Sequence, residues 1–85
     1  MRVKVLFFAS LREQLGASAE EVELPAGVAT VASLRSHLAR RGGAWEVALA
    51  EKKNVRAALN QDMAKPGAAI RAGDEIAFFP PVTGG

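Results

Sequence analysis

The amino-terminal residues alternate between polar and apolar side chains. Val3, Val5 and Phe7 share one parity, and Arg2 and Lys4 share the other. A period of two is typical of a β-strand that buries one face. We therefore predict a strand over residues 3–9 with these three side chains facing the core.

The next two segments predict a short helix and a second strand. Leu11 and Leu15 lie four residues apart, which is the spacing of one helix face, and Gly16 follows as a helix terminator. Residues 21–24 then alternate between polar and apolar before a turn at residues 25–27. We expect this second strand to run antiparallel to the first.

The clearest helix of the chain follows that turn. Thr30 is a suitable N-cap, because its hydroxyl can accept a hydrogen bond from a free amide of the first turn. Val31, Leu34 and Leu38 recur at helical spacing, and the glycine pair at 42–43 ends the pattern. The segment predicts one long amphipathic helix.

The carboxyl-terminal half predicts a short helical turn and two more strands. Residues 45–49 carry apolar side chains at helical spacing, whereas residues 55–60 and 75–79 alternate. In the last strand, Ile76 and Phe78 share one face and the intervening residues share the other. We assign Ile76 and Phe78 to the core.

The predicted order is strand, strand, long helix, strand, strand, with short helical insertions. This order indicates an α+β architecture in which a mixed sheet packs on one main helix, as in the β-grasp, or ubiquitin-like, fold. The 85 residues suffice for one domain. We expect residues 1–79 to form the β-grasp domain and residues 80–85 to form an extended tail.

Composition excludes several function classes. The net charge of +2 comes from scattered basic residues, whereas a nucleic-acid interface needs a clustered basic face. With no cysteine, the chain has no disulfide, thiolate metal ligand or cysteine nucleophile. No stretch approaches the roughly 20 apolar residues of a membrane span, and the apolar run at 5–9 is too short for a signal peptide. We expect a cytoplasmic protein without metal, nucleic-acid or membrane partners.

No group of residues predicts an active site inside the domain. His37 is the only histidine, and the serines lack a patterned base and acid. Glu20, Glu21 and Glu23 fit the solvated face of an edge strand better than a pair of catalytic carboxylates. The glycines form no phosphate-binding loop. The carboxyl terminus is the remaining candidate for a functional segment.

The chain ends in Phe79-Pro80-Pro81-Val82-Thr83-Gly84-Gly85. The prolines lack amide donors and restrict φ, so the last strand must end and the tail must leave in an extended direction. The six residues after Phe79 reach roughly 20 Å. Because glycine has no side chain, the end is thin enough to pass through a narrow tunnel in another protein. We interpret the tail as a segment that a partner handles.

Three segments carry a resemblance to a known family. They are the run from Gly73 to Gly85, the opening run from Lys4 to Ala9, and the pair Asn60-Gln61. Together they resemble the MoaD family of ubiquitin-like sulfur carriers, the small subunits of molybdopterin synthase. The terminal motif is specific to this family, whereas Gly-Gly alone also occurs in other carriers and in ubiquitin-like modifiers.

The resemblance implies a chemical cycle at Gly85. A ubiquitin-activating-type adenylyltransferase would use ATP to convert the Gly85 carboxylate to an acyl-adenylate, and a sulfur donor protein would displace AMP and leave a thiocarboxylate. The tail would then enter the large subunit of molybdopterin synthase and give its sulfur to cyclic pyranopterin monophosphate, in a heterotetramer. On this basis the chain is a co-substrate that binds no cofactor and is not an enzyme by itself.

Strand parity predicts a docking face opposite the core. Its members are Leu6, Phe8, Ala58, Ala77 and Phe79, with Met63 nearby. Exposed apolar clusters commonly mark partner sites, and the family resemblance implies contacts with both partners here. The alternatives are that a loop or helix covers these residues, or that the strand register is shifted by one, which would exchange the two faces.

Two other functions remain open on the sequence alone. One is sulfur supply to thiamine synthesis or tRNA thiolation, and the other is a ubiquitin-like modifier whose Gly85 forms an isopeptide bond with lysine. The motif over residues 78–85 favours the molybdopterin pathway over the first.

Overall fold

Five strands and three helices follow one another within residues 1–81, the part of the chain that the computed structural model describes. The elements are β1 (Arg2–Phe7), α1 (Ala9–Leu15), β2 (Ala19–Glu23), α2 (Val31–Ala39), α3 (Gly43–Ala48), β3 (Arg56–Leu59), β4 (Asp62–Ala64) and β5 (Glu75–Phe79). The predicted tail residues Val82, Thr83, Gly84 and Gly85 lie outside this range.

The strands form one mixed sheet in the order β2-β1-β5-β3-β4. The central pair, β1 and β5, is parallel, and every other pair is antiparallel. This order, with the main helix α2 on one face, is that of the β-grasp fold. The predicted α+β class, the mixed sheet and the antiparallel pairing of β1 with β2 are confirmed.

The core lies between the sheet and α2. On the sheet side, Val5 and Ile76 are 0% exposed, and on the helix side Leu34 and Leu38 are also 0% exposed. Burying side chains of this size supplies most of the free energy that opposes chain entropy. We call the sheet face that meets α2 the inner face and the opposite one the outer face. The predicted inward parity of β1 and β5 is confirmed.

Local interactions set the ends of the helices as the sequence predicts. At the start of α2 the Thr30 hydroxyl accepts a hydrogen bond from the Ser33 amide at 3.1 Å, and the Ser33 hydroxyl accepts one from the Thr30 amide at 2.9 Å. These reciprocal bonds form a capping box. Gly16 ends α1 with φ 68°, a left-handed conformation that glycine adopts without strain.

The prediction of four strands was wrong, because β4 was missed. A two-residue turn joins β3 to β4, with Asn60 at φ 50° and Gln61 at φ 73°. Turns with two positive φ values usually have glycine at the second position, and glutamine there hides the signal. With only three residues, β4 is also too short for its alternation to be detected.

Candidate functional site

The sheet register aligns small and apolar residues in one row across the outer face. Leu6 of β1 lies beside Ala77 of β5. Ala77 in turn lies beside Ala58 of β3, and Ala58 beside Met63 of β4. All four belong to the docking face that strand parity predicts, so the register brings together residues that are far apart in the chain.

Two phenylalanines extend this row toward the end of β5. Phe8 follows β1 in an extended conformation, and its amide donates to the Phe78 carbonyl at 3.1 Å, so the strand alternation continues to place its side chain outward. Phe79 is the last residue of β5 and is half-buried. Phe8 is 46% exposed and Met63 is 64% exposed.

We call this set the apolar face. Its members are the outward apolar residues that lie near the end of β5: Leu6, Phe8, Ala58, Met63, Ala77 and Phe79. Their placement follows from the register and from their exposure, whereas their role as partner contacts stays a prediction.

The other end of the outer face is charged. Lys4 lies between Glu21 of β2 and Glu75 of β5, and Arg2 lies beside Glu23. Arg2 Nε is 3.5 Å from Glu23 Oε1, and the amino-terminal nitrogen is 3.0 Å from Glu23 Oε2. The hydrogen bond from this ammonium is the main cause that lowers the pKa of Glu23. The outer face is therefore divided into the apolar face and a charged half.

The tail leaves the domain beside the apolar face. The pairing of β5 with β3 ends where Phe79 lies opposite Arg56. Pro80 and Pro81 follow, and proline cannot donate to a strand ladder, so the sheet cannot continue along this segment. The predicted reactive residue, Gly85, lies beyond the described residues. What the structure describes is the surface from which the tail departs.

An aromatic cluster supports β5 from the inner side. The ring of Phe78 stacks on Phe7 with centroids 6.3 Å apart, and Phe7 meets Trp45 edge-on at 5.3 Å. The Arg41 guanidinium lies 4.4 Å from the centroid of Trp45 and donates to both carboxylate oxygens of Glu20. This hydrogen bond is the main cause that lowers the pKa of Glu20. Sequence reasoning missed the cluster, because its members are distant in the chain.

The Asn60 motif of the family resemblance connects the β3–β4 turn to the start of β5. Asn60 Nδ2 donates to Asp74 Oδ1 at 3.0 Å, and Asn60 Oδ1 accepts from the Glu75 amide at 3.0 Å. Asp74 also accepts from the Arg71 amide at 2.7 Å. The bond from Asn60 is the largest cause that lowers the pKa of Asp74. The motif therefore holds β5 in place at the end opposite the tail.

A surface groove of about 700 Å³ lies between α2, α3 and the β3–β4 edge. Arg35 and Arg56 both line it. Arg35 donates to the carbonyl oxygens of Leu49, Ala50 and Lys53 at 3.0, 2.6 and 2.7 Å. These bonds fasten the α3–β3 connection to α2, which is a structural role. Within residues 1–81, no three His, Asp or Glu side chains are grouped to hold a metal ion, and no helix is long and apolar enough to cross a membrane.

Known proteins share both the sequence and the fold of this chain. The ThiS family profile matches residues 5–85. A molybdopterin synthase sulfur carrier subunit of Haemophilus influenzae is 47% identical over 83 residues, which cover 98% of this chain and 99% of that protein. The crystal structure of SAMP1 from Haloferax volcanii covers 100% of both chains at 30% identity with a TM-score of 0.77.

A further solved structure shares the fold alone. It is the complex of subunits 1 and 2 of the molybdopterin-converting factor from Helicobacter pylori, which matches over 100% of both chains at 22% identity with a TM-score of 0.66. The SAMP1 structure and this one therefore both contain the fold of this chain.

Proposed function

The chain belongs to the ThiS family, among the molybdopterin synthase sulfur carrier subunits, and we propose that it carries sulfur as a thiocarboxylate on Gly85. The observation that carries this proposal is the near full-length match, at 47% identity, to a carrier subunit of that name. The sheet geometry supports it, because β5 leads from the core, past the apolar face, directly into the tail.

The chemistry requires activation of the Gly85 carboxylate. A carboxylate is a resonance-stabilised anion without a good leaving group, so sulfur cannot replace oxygen directly. Attack of the carboxylate on the α-phosphorus of ATP forms the acyl-adenylate and releases pyrophosphate. The terminal sulfur of a donor persulfide then attacks the acyl carbon, AMP leaves, and an acyl disulfide forms. A thiol attacks the donor sulfur of this S–S bond, so that the thiocarboxylate leaves and the donor and the thiol are joined in a disulfide. The activating adenylyltransferase and the sulfur donor protein supply this chemistry.

The chain's own contribution is docking and delivery. Leu6, Phe8, Met63 and Phe79 offer a partner an apolar surface that the described fold leaves open. In the Helicobacter pylori structure the partner of subunit 1 is subunit 2. We propose that the molybdopterin synthase large subunit covers the apolar face of this chain and receives the tail, and that the complex, as in the family, contains two copies of each subunit.

Reconstitution with the large subunit and the pterin precursor tests the proposal. Chemically thiocarboxylated protein should produce molybdopterin, and its mass should return to that of the carboxylate form after turnover. A chain without Gly84-Gly85 should produce none, although it should still bind the large subunit through the apolar face. Full product formation by the truncated chain would overturn the assignment of Gly85.

A second candidate function is protein modification. The match to SAMP1, a small archaeal modifier protein by its name, covers the whole chain and favours this candidate. Gly85 would then form an isopeptide bond with lysine. Arg71 is the last trypsin site of the chain, so tryptic digestion of cell extracts would reveal the peptide of residues 72–85 attached through Gly85 to lysine side chains. A pure carrier would yield thiocarboxylated chain and no such branched peptides.

A further inference from the structure

Arg56 is a charged residue at the end of the outer face that the apolar face occupies. It starts β3, lies beside Phe79 in the register, and has the same outward parity as Ala58. Its side chain is exposed, and among residues 1–81 it takes part in none of the ion pairs, which involve the amino terminus, Arg2 and Arg41. A cation therefore stands where the tail leaves the domain.

The described chain offers Arg56 no carboxylate on this face. The acidic residue of β5 is Glu75, which lies four residues before Phe79, or about 13 Å along the strand. Glu75 also has Lys4 as its neighbour in the register. Glu21 and Glu23 are farther still, because they lie on β2, across β1 and β5. Glu46 and Glu51 line the groove between α2, α3 and the β3–β4 edge together with Arg56, but among residues 1–81 neither forms an ion pair with it.

Docking changes this balance. Arg56 lies beside Phe79 and two residues before Ala58, so a partner that covers those two residues also removes water from Arg56. A guanidinium that loses water without gaining an acceptor destabilises the complex strongly, whereas a carboxylate can accept two parallel hydrogen bonds from it. The planar donor arrangement of arginine suits this pairing better than the ammonium of lysine.

We propose that the partner that covers the apolar face presents a carboxylate to Arg56, and that this pair sets the orientation in which the tail enters the partner. The inference rests on the proposed function, since it requires docking at the apolar face. Apolar contacts are non-directional and would allow the carrier to rotate on its partner. One ion pair beside Phe79 removes that freedom at the point where the tail departs.

The test compares the binding of single variants to the purified large subunit by calorimetry. Arg56→Leu keeps the volume and adds apolar surface, so it should strengthen binding if Arg56 stays solvated at the rim. With the proposed pair it should instead weaken binding about 30-fold or more, because the partner's carboxylate is left without its cation. Arg56→Lys should recover part of the loss. Unchanged or tighter binding by Arg56→Leu would overturn the inference.

Lys4→Leu is the matched control, because it removes one positive charge from the same sheet face in the charged half. It should leave the dissociation constant within about twofold, as expected for a solvated charge outside the interface. Circular dichroism on both variants checks that the fold is retained.

A double-mutant cycle identifies the partner's carboxylate. Each acidic residue on the large subunit's binding surface is replaced by its amide and combined with Arg56→Leu. One of these amide variants should not weaken binding any further when the carrier already has Arg56→Leu. If every amide variant weakens binding independently of Arg56→Leu, the proposed pair is wrong.

Phe79→Ala separates this inference from the proposed docking. If Phe79→Ala weakens binding and Arg56→Leu does not, the docking face is supported and the role of Arg56 is wrong. If neither does, docking at the apolar face falls as well.

Discussion

Phe78 and Phe79 are adjacent in β5, have the same side chain and lie in different environments. Phe78 is 1% exposed and stacks on Phe7 in the core. Phe79 points to the outer face, remains half-buried and lies where the tail departs. Successive side chains of a strand point to opposite faces, so one strand can contribute to two surfaces. The inner parity of β5 contributes to the core, and the proposed docking role belongs to the outer parity.

The outer face is divided into a charged half and the apolar face, which strand alternation alone does not require. Charged residues occupy the half around Lys4, where they pair with one another across strands. Apolar residues occupy the half around Phe79. An antiparallel sheet can carry a uniformly polar outer face, so strand alternation does not account for the apolar side chains near the tail, which the proposed docking role does.

The strongest predicted effect is a loss of stability when Phe78, on the inner side of β5, is replaced. Phe78→Ala should destabilise the fold by about 3–5 kcal/mol, because it leaves a cavity beneath α2 and removes the stacking on Phe7. For a domain with about 5–15 kcal/mol in total, this approaches unfolding. Phe79→Ala should cost far less. Urea denaturation followed by circular dichroism measures both, and equal losses would contradict the separation of the two faces.

The second prediction concerns the affinity that Phe79, on the outer side of β5, gives to the complex. Phe79→Ala should weaken the complex with the large subunit by about 30-fold, which corresponds to the roughly 2 kcal/mol of an interface hot spot. Phe8→Ala should act in the same direction. Calorimetric titration gives the dissociation constants, with Val47→Ala as the control, since Val47 is 59% exposed on α3 and lies outside the apolar face. A loss of the same size in the control would argue against a localised interface.

A smaller effect concerns the one charged side chain with inner parity on β2. Glu20 lies beside Val5 at the sheet edge and pairs with Arg41. Its pKa is lowered from 4.5, chiefly by the Arg41 hydrogen bond, so the stabilisation is present above about pH 4.5 and is lost as the pH falls through the lowered pKa. Glu20→Gln should cost about 0.2–1 kcal/mol at neutral pH, as for exposed pairs.

The measurement for Glu20 is thermal unfolding of wild type and variant over a pH series. The two stabilities should converge at acidic pH, where Glu20 is protonated in the folded wild type as well. A constant difference across the series would show that packing, rather than charge, determines the contribution of Glu20.

The last prediction concerns the stability of the β3–β4 turn and alters neither face of the sheet. Gln61 has φ 73° in the β3–β4 turn, a conformation that costs glutamine energy and glycine none. Gln61→Gly should therefore raise stability by a few tenths to about 1 kcal/mol, as the relief of strain exceeds the greater chain entropy of glycine. Chemical denaturation gives the change, and affinity for the large subunit should not move. A loss of stability would show that the Gln61 side chain makes contacts that outweigh the strain.

Much of the fold was predictable because its signals are local. The alternation around Val5 and around Ile76 defined the inner parity, and Thr30 marked the start of α2 through a hydrogen bond to a residue three positions away. The strand β4 was not predictable, because its turn uses Gln61 instead of glycine. The candidate site was predictable in its parts: the parity placed Leu6, Ala77 and Phe79 on one face.

Residue types along the chain show which positions alternate, where the main helix begins, and that two prolines follow the last strand. These properties depend on φ preferences, hydrogen bonds and apolar spacing over a few residues. Only the tertiary structure decided that Leu6, Ala77, Ala58 and Met63 form one row, and that Arg56 stands beside Phe79. The pairing of β1 with β5 and of β3 with both β4 and β5 sets these neighbours, and strand register results from packing the whole inner face against α2.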